Sequence, residues 1–401
     1  MRTGGRDALD VLIIGAGMVG GAAALGLARA GLKVALVEQH PVSAPTPTES
    51  VDARVVAVAP HSQRLLSSLG VWGEIAAVRA SPYSHMQVQD ALGASTLDFD
   101  AADYGWPCLG HIVENRLIAG TLWHALEREP GIRLLLGDTL ADFEMDESSV
   151  RVRLSSGGEL RARLLIGADG VNSRVRDQLL IGTSGAPYGQ SGLVAQIQAE
   201  QPSPQLAWQR FLPSGPLAFL PLCDGSYSMV WTLPAARAQE LIEVSAEQFE
   251  AQLLRASNSR FGRLRLLTDR QAFPLRLQIA QRFVEQRAIL MGDAAHVVHP
   301  LAGQGVNLGF ADVSGLIAAV AEAQARGRAP LGATDLARWA RQRRSEAALA
   351  ARAFDGLNRL YGISEGPMVA ARGLGLRLVD RLTPIKRKLA EQAAGIRAGA
   401  G

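Results

Sequence analysis

The run from Gly292 to Gly309, GDAAHVVHPLAGQGVNLG, sets an Asp and two His at intervals of three: Asp293, His296 and His299. Such a trio could hold a metal or move a proton. A metal, however, needs ligands that converge, and usually one more of them. Pro300 and the glycines Gly303 and Gly305 favour an irregular loop, so no metal is expected. His296 then reads as a brace for the loop rather than a base, and His299 as a candidate for polar contact with a substrate. So dense a run of glycine means that the backbone comes close to something. The apolar residues Ala288 to Met291 stand just before, so Asp293 falls where a loop opens at the carboxyl end of a strand, the usual ligand position in α/β proteins. Gly303 to Asn307 then opens a long helix, through about Ala325, whose first N–H groups carry the positive end of the helix dipole.

A second set of glycines lies at the other end of the chain, in LDVLIIGAGMVGGAAALGLARAGLKVALVE. Val11 to Ile14 form an apolar run, and Gly15, Gly17 and Gly20 follow as G-x-G-x-x-G. A small-residue helix then runs to about Ala30, and a second apolar run ends at Glu38. The order is strand, turn, helix, strand. Gly15 permits the tight turn, Gly17 lets a pyrophosphate approach the backbone, and Gly20 lets the helix pack on the strand. The helix N-terminus offers N–H groups to the phosphates. Glu38 is placed to accept from ribose hydroxyls, and its charge would repel a 2′-phosphate. The unit reads as dinucleotide binding without distinguishing NAD from FAD. GLGLRL at Gly373 is no second fingerprint, lacking the third Gly and a preceding strand, so any second dinucleotide uses a transient site. Between these ends, RARLLIGADGVNSRVRDQLL, Arg161 to Leu180, runs from a strand through Asp169-Gly170 into a helix, with Asn172 or Ser173 as its cap.

These groups need elements to position them. The chain has 401 residues, 48% hydrophobic and 20% charged, which suits two interlocked domains of an ordinary globular protein. No uncharged apolar run reaches the length of a membrane span. The N-terminal apolar stretch runs straight into a glycine-rich turn, so it reads as a first strand and not as a signal peptide. Two cysteines, Cys108 and Cys223, give no disulfide framework and fit a reducing cytoplasm. Residues 331–401 carry thirteen Lys and Arg against six Asp and Glu, a net +7, while the first 330 residues carry −4. That basic end, with ARGLGLRLVDRLTPIKRKLAEQAAG in helical spacing, could meet an anionic membrane surface or an acidic partner, or dock on its own fold. No nucleic-acid partner is expected. In the middle, LVAQIQAE, LAWQRFL, GPLAFLPL and YSMVWTL read as antiparallel strands, followed by an amphipathic helix over Ala236 to Leu254. Phe219, Met229 and Trp231 could line an apolar cavity or serve as plain sheet core.

Gly15–Gly20, Asp169-Gly170 and Gly292-Asp293, in that order, give the chain a resemblance to the class A FAD-dependent aromatic hydroxylases of the para-hydroxybenzoate hydroxylase type. DARVVAVAPHSQRLLSSLGVW, LGHIVENRLI, WQRFLPSGPLAFLPL and GDAAHVVHPLAGQGVNLGF carry a narrower resemblance, to the ubiquinone-biosynthesis hydroxylases, from about residue 10 to about 395. One departure is Val55-Val56-Ala57, where that family commonly has Val/Ile-Ser-Ala. The resemblance implies an α/β fold: a Rossmann-like FAD-binding domain of the glutathione reductase type, an inserted, mostly antiparallel β substrate domain, and a helical C-terminus. Residues 1–75, 100–180 and 281–330 would form the first, 76–99 and 181–280 the second, and 331–401 the third.

It also implies a tightly but non-covalently bound FAD, with its pyrophosphate on Gly15–Gly20 and its adenosine ribose on Glu38. Arg54 and Arg116 match cofactor-contacting positions, although Arg116 follows Glu114 closely enough for an ion pair. Asp169 and Gly170 match a segment touching both FAD and nicotinamide. Asp293 would hold the ribityl chain, Gly303, Gln304, Gly305 and Asn307 would face the flavin's pyrimidine edge, and Pro300 would face the substrate. The implied activity is hydroxylation of a polyprenylated phenol or quinol, with NAD(P)H as transient reductant, O2 as co-substrate and a C4a-hydroperoxyflavin as oxygen donor. GHIVEN and RASPYSHMQVQD look closest to the members that act at C5 and WQRFLPSGPLAFLPL to those that act at C6, and C5 is preferred over C6 or C1. A biosynthetic assembly and peripheral contact with the inner membrane are the further expectations. The alternatives are an FAD-dependent prenyl reductase, a small-phenol hydroxylase and a non-enzymatic subunit that presents lipid. A flavin halogenase is set aside for want of two Trp spaced two apart.

Overall fold

The computed structural model describes residues 9–40, 43–46, 49, 51–93, 95–298, 305–363 and 365–395. Its helices are α1 (Met18–Arg29), α2 (Pro60–Ser68), α3 (Trp72–Val78), α4 (Asn115–Glu127), α5 (Arg174–Gln178) and α6 (Ala235–Glu243). They continue with α7 (Ala246–Ala256), α8 (Gly305–Ala325), α9 (Ala333–Gly362), α10 (Gly366–Arg381) and α11 (Thr383–Ala393).

Continuous apolar runs such as Val11–Ile14 and Val34–Val37 have no polar face to give to water, so they form parallel strands covered on both sides. Strand Leu9–Ile14 pairs in parallel with Val34–Glu38 on one side and Glu159–Gly167 on the other, and the latter pairs in parallel with Ala288–Leu290. The register aligns Ile14 with both Val37 and Gly167, and Gly167 with Leu290. Three chain segments far apart in sequence therefore leave the sheet at the same edge: Gly15, Ala168-Asp169, and Met291 with Gly292-Asp293.

The second sheet is built around Pro187–Ala199, Tyr227–Pro234, Gly215–Pro221 and Leu206–Leu212 in antiparallel order. His85–Asp90 joins its edge in parallel. Side chains alternate between its faces. Phe219 lies opposite Met229 and Leu217 opposite Trp231, so these four share one face. That face packs under α6 and α7 with Phe249 and Leu253, and Phe219, Met229 and Trp231 are 0%, 0% and 7% exposed. They are sheet core. The opposite face turns to the dinucleotide domain: Ser228 Oγ donates to Ala53 O at 2.8 Å, and Leu220 packs with Ala57 and Ile112.

The helix expected over Ala236 to Leu254 is two helices. Ser245 stops the first and caps the second, accepting from Gln248 N while the Gln248 side chain returns to Ser245 N. This reciprocal capping box satisfies two donors that a helix start leaves open. Ser173, one of the two caps considered, accepts from Arg176 N at the start of α5.

α8 is long and apolar enough to cross a membrane, with mean hydropathy 1.4 over its best window. It packs against α1, α2 and α9 instead, as a core helix. The C-terminal helices dock on the chain's own fold. Arg372 of α10 makes two hydrogen bonds to Asp90, at 2.7 and 2.9 Å, with both side chains 1% exposed. Its guanidinium also lies over Tyr361, which stacks on Phe211 at 3.9 Å. Breaking a buried pair strands the surviving charge. Arg372→Ala should therefore cost about 3–5 kcal/mol of local stability. The expected readout is early protease cleavage around α10 together with a lower urea midpoint; a wild-type cleavage pattern would show that the pair does not hold the tail.

Candidate functional site

The glycines of the first turn divide their roles as the sequence suggests. Gly15 has φ of +98°, and a Cβ there would strike Ala168 O at 2.5 Å. A Cβ on Gly20 would lie 1.9 Å from Gly15 O, so helix and turn touch only because it is absent. Gly17 is different: a Cβ there meets nothing within 4 Å. It is the N-cap of α1 and exposed, so the open space lies where the helix presents its first N–H groups. Glu38, half-buried at its strand end, accepts from Ala16 N at 2.6 Å and His40 N at 2.9 Å, which points its carboxylate at this turn.

Asp169 follows the neighbouring strand. One carboxylate oxygen accepts from Val175 N at 3.2 Å, while Oδ1 is buried without a hydrogen-bond partner. An acceptor left so is costly and marks a place for a donor from outside the fold. Gly170, at φ +79°, continues into open space.

The third segment is drawn in by close contact. Gly292 has φ of +56°, and Cβ atoms built on Gly292 and Gly309 would fall 3.0 and 2.5 Å from the side chain of Val19 on α1. The first turn of α1, the Gly292-Asp293 loop and the second turn of α8 thus meet through one valine. Asp293 has no hydrogen-bond or ion-pair partner among the described residues. It is accessible to solvent yet densely surrounded. Desolvation raises its carboxyl pKa, and His296 pulls the other way.

His296 is a brace, as its position in the loop suggests. Its Nε2–H donates to Asp312 Oδ2 at 2.6 Å, and both side chains are buried. Asp312 also accepts from Gly292 N at 3.0 Å and from Arg343 Nε at 2.8 Å. Burial alone would raise the Asp312 carboxyl, but His296 and Arg343 outweigh it and hold it below the ordinary range. Neither Asp312 nor Arg343 was singled out from sequence, although a lone Asp inside the apolar GVNLGFADVSGLIAAVA is itself a signal of a paired buried charge.

Asn307 is expected to offer its backbone N–H, and the structure gives its side chain separate partners. Its side chain serves the fold: Oδ1 accepts from Ala59 N at 3.0 Å and Ser62 Oγ at 2.7 Å, and Nδ2 donates to Ala57 O at 2.8 Å. Only its backbone N–H remains for a ligand. Arg54 lies over Phe273 at 4.6 Å and makes no ion pair among the described residues, so its guanidinium stays free at the junction of the two sheets. Arg116 is engaged elsewhere, holding Ser43 O and Glu49. The Glu114 pairing considered for it does not form, because Glu114 is buried against Arg79 at 2.6 Å. His299, Pro300, Gly303 and Gln304 lie outside the described residues. Among the described residues no cluster of His, Cys, Asp and Glu could hold a metal. A shallow groove of about 530 Å³ beside Trp231, Arg237 and Arg255 lies on the α6–α7 face, away from every residue above.

A parallel sheet whose carboxyl edge gathers a glycine turn, an orphaned carboxylate oxygen and a second helix N-terminus defines a dinucleotide-binding protein. The chain belongs to the FAD binding domain family, whose sequence model matches residues 8–352, and within it to the ubiquinone-biosynthesis hydroxylases. It is 37% identical over 388 residues to the 3-demethoxyubiquinol 3-hydroxylase of Escherichia coli, covering 96% of this chain and 98% of that one. With the ubiquinone hydroxylase UbiL of Rhodospirillum rubrum it shares 36% over 394 residues, 98% and 91% of the two chains. The human mitochondrial ubiquinone biosynthesis monooxygenase COQ6 is 35% identical over 434 residues, covering 95% and 91%. The p-nitrophenol 4-monooxygenase PnpA of Pseudomonas putida has the same fold, with a TM-score of 0.76 at 18% identity over 98% of this chain and 100% of that one.

The residues present fit FAD: the space at Gly17, the unpaired Asp169 Oδ1 and the unpartnered Asp293 are all places a ligand would complete. Gly17→Val should fold, since nothing opposes the side chain, yet purify with little flavin absorbance. Gly20→Val should instead fail to fold, as measured by thermal denaturation. Normal flavin content in Gly17→Val would remove the phosphate assignment.

The two aspartates predict opposite pH effects. Asp312 has a depressed pKa, so its contribution is present above the unfolded carboxyl value and disappears as pH falls through the folded one. Asp293 has a raised pKa, so its ionised form costs stability that is regained as pH falls. Asp293→Asn apoprotein should therefore melt no lower than wild type at pH 7, while retaining less FAD. A lower apoprotein melting point would contradict the unpartnered carboxylate.

Proposed function

We propose that this chain adds oxygen at ring carbon C5 of a polyprenylated phenol or quinol, using FAD reduced by NADH or NADPH. The observation that carries the reading is the meeting of Gly17, Asp169 and the Gly292-Asp293 loop at one sheet edge, with the second sheet fastened nearby through Ser228 and Ala53. Bound FAD, reduced by a nicotinamide and reoxidised by O2, supplies the oxygen transfer to the ring.

The chain's own residues bind, orient and exclude water. The N–H groups at the start of α1 take the diphosphate at Gly17, where no Cβ blocks approach. Glu38 accepts from the adenosine ribose, and Arg54 offers a planar cation for the diphosphate. Asp293 takes the ribityl hydroxyls, for which an unpartnered carboxylate is suited. The first N–H groups of α8 donate toward the pyrimidine edge of the ring, where negative charge gathers on reduction. The bond from Ser228 to Ala53 O fastens the second sheet beside the Arg54 loop. Its apolar inner face gives the prenylated ring a wall and keeps water from the reacting centre.

The test is turnover of purified holoprotein with a prenylated phenol, NADH or NADPH, and isotopically labelled O2. The expected product is heavier by one oxygen atom drawn from O2, with the new hydroxyl at C5. Oxygen at another carbon would overturn the C5 assignment alone. Saturation of prenyl double bonds without O2 would overturn the hydroxylase reading.

A further inference from the structure

Of twelve large apolar side chains exposed among the described residues, eight lie between Leu349 and Leu389. Four of them stand at i, i+4 spacing, Leu374 and Leu378 on α10 and Ile385 and Leu389 on α11, with exposures of 64%, 57%, 45% and 43%, and Leu382, 37% exposed, stands at the turn between the two helices. Single exposed leucines are ordinary, but a row at helical spacing is not. The inner side of α10 is packed on the fold. Arg372 is buried on Asp90, a Cβ on Gly373 would sit 3.1 Å from Gly93 O, and Asp380 accepts from Asp98 N at 3.2 Å. Lys386 turns inward to Asp380 at 3.2 Å. The row is thus not a core face awaiting the chain's own residues.

The charges beside the row decide what fits it. Arg377 and Lys388 are exposed and have no carboxylate partner among the described residues, while the acids Asp380 and Glu391 are each paired, with Lys386 and Arg387. Residues 331–401 carry a net +7 on a chain whose remainder carries −4. An interface between protein copies is depleted in Lys at its core. A helix with an apolar row and flanking cations suits the boundary of an anionic bilayer, where apolar side chains reach the acyl region and cations meet headgroups.

We propose that α10 and α11 are the surface by which this protein lies on an anionic membrane. The far end of α11 reaches the flavin end of the dinucleotide domain. The His61 ring lies 3.3 Å from Ala394 O and 3.2 Å from Asn307 O, joining the last turn of α11 to the first turn of α8. A Cβ on Gly395 would fall 2.1 Å from the His61 ring, so this join is close-packed. A substrate dissolved in the bilayer would leave it near the site that uses it, the one point at which the proposal leans on the hydroxylase reading.

The test is co-sedimentation of the holoprotein with vesicles of phosphatidylglycerol and phosphatidylcholine in equal parts, against vesicles of phosphatidylcholine alone, without substrate. Wild type should partition to the anionic vesicles and be released by salt. The Leu378→Gln/Ile385→Gln pair should weaken partition roughly tenfold, and Lys388→Gln should weaken it on anionic vesicles only. Leu136→Gln, at an exposed leucine on the far sheet edge, should leave it unchanged. All variants should keep wild-type flavin content and NADH oxidation, so a failure of hydroxylation would not be mistaken for a failure of docking. Wild type remaining in the supernatant, or the Leu378/Ile385 pair binding as wild type, would overturn the proposal. A wild-type dimer that this pair splits, without vesicle binding, would overturn it in favour of a second copy.

Discussion

Asp312 is a carboxylate with no exposure, placed in the middle of an apolar helix, and the site depends on how it is neutralised. Such a charge is tolerable only where hydrogen bonds and counter-charges replace water. Gly292 N–H, His296 and Arg343 do so, and they come from the Gly292–His296 loop and from α9. Satisfying one buried charge therefore fixes three elements against one another. The loop cannot move away from α8 without stranding Asp312, and Asp293 is held one residue from that anchor.

The close packing at Val19 carries the same constraint to the N-terminal turn. Gly292 and Gly309 leave room for its side chain, so α1, the loop and α8 share one contact point. Parallel register does the rest, bringing Gly15 and Asp169 to the same edge. The site is thus rigid where backbone meets backbone, and open at Gly17, Asp169 Oδ1 and Asp293. Those openings are polar.

The C-terminal helices show how one basic segment divides between buried and free cations. Arg372 and Lys386 are spent on attaching the helices to the fold, and Arg377 and Lys388 remain outside. Net charge alone could not divide them. The buried Arg372 pair and the stacked Tyr361 and Phe211 give α10 one fixed rotation, which leaves its leucine row facing out.

Much of the site was legible in sequence because its causes are local. A positive φ at Gly15, the missing Cβ at Gly20 and the end of a strand at Glu38 follow from residue type and short spacing. The same holds for the capping pattern Ser245-x-x-Gln248, present in the sequence though read through as one continuous helix. Sequence left Phe219, Met229 and Trp231 as either cavity lining or sheet core, and did not say which face met the flavin domain. That depended on the Ser228 contact with Ala53, across 175 residues. Arg116 chose Glu49 over Glu114, and Asn307 turned its side chain to Ala57, Ala59 and Ser62, for the same reason. Local geometry is set by the chain's own stereochemistry. Partners between distant segments are set by register and by which buried groups must be satisfied at once, and only the tertiary structure decides those.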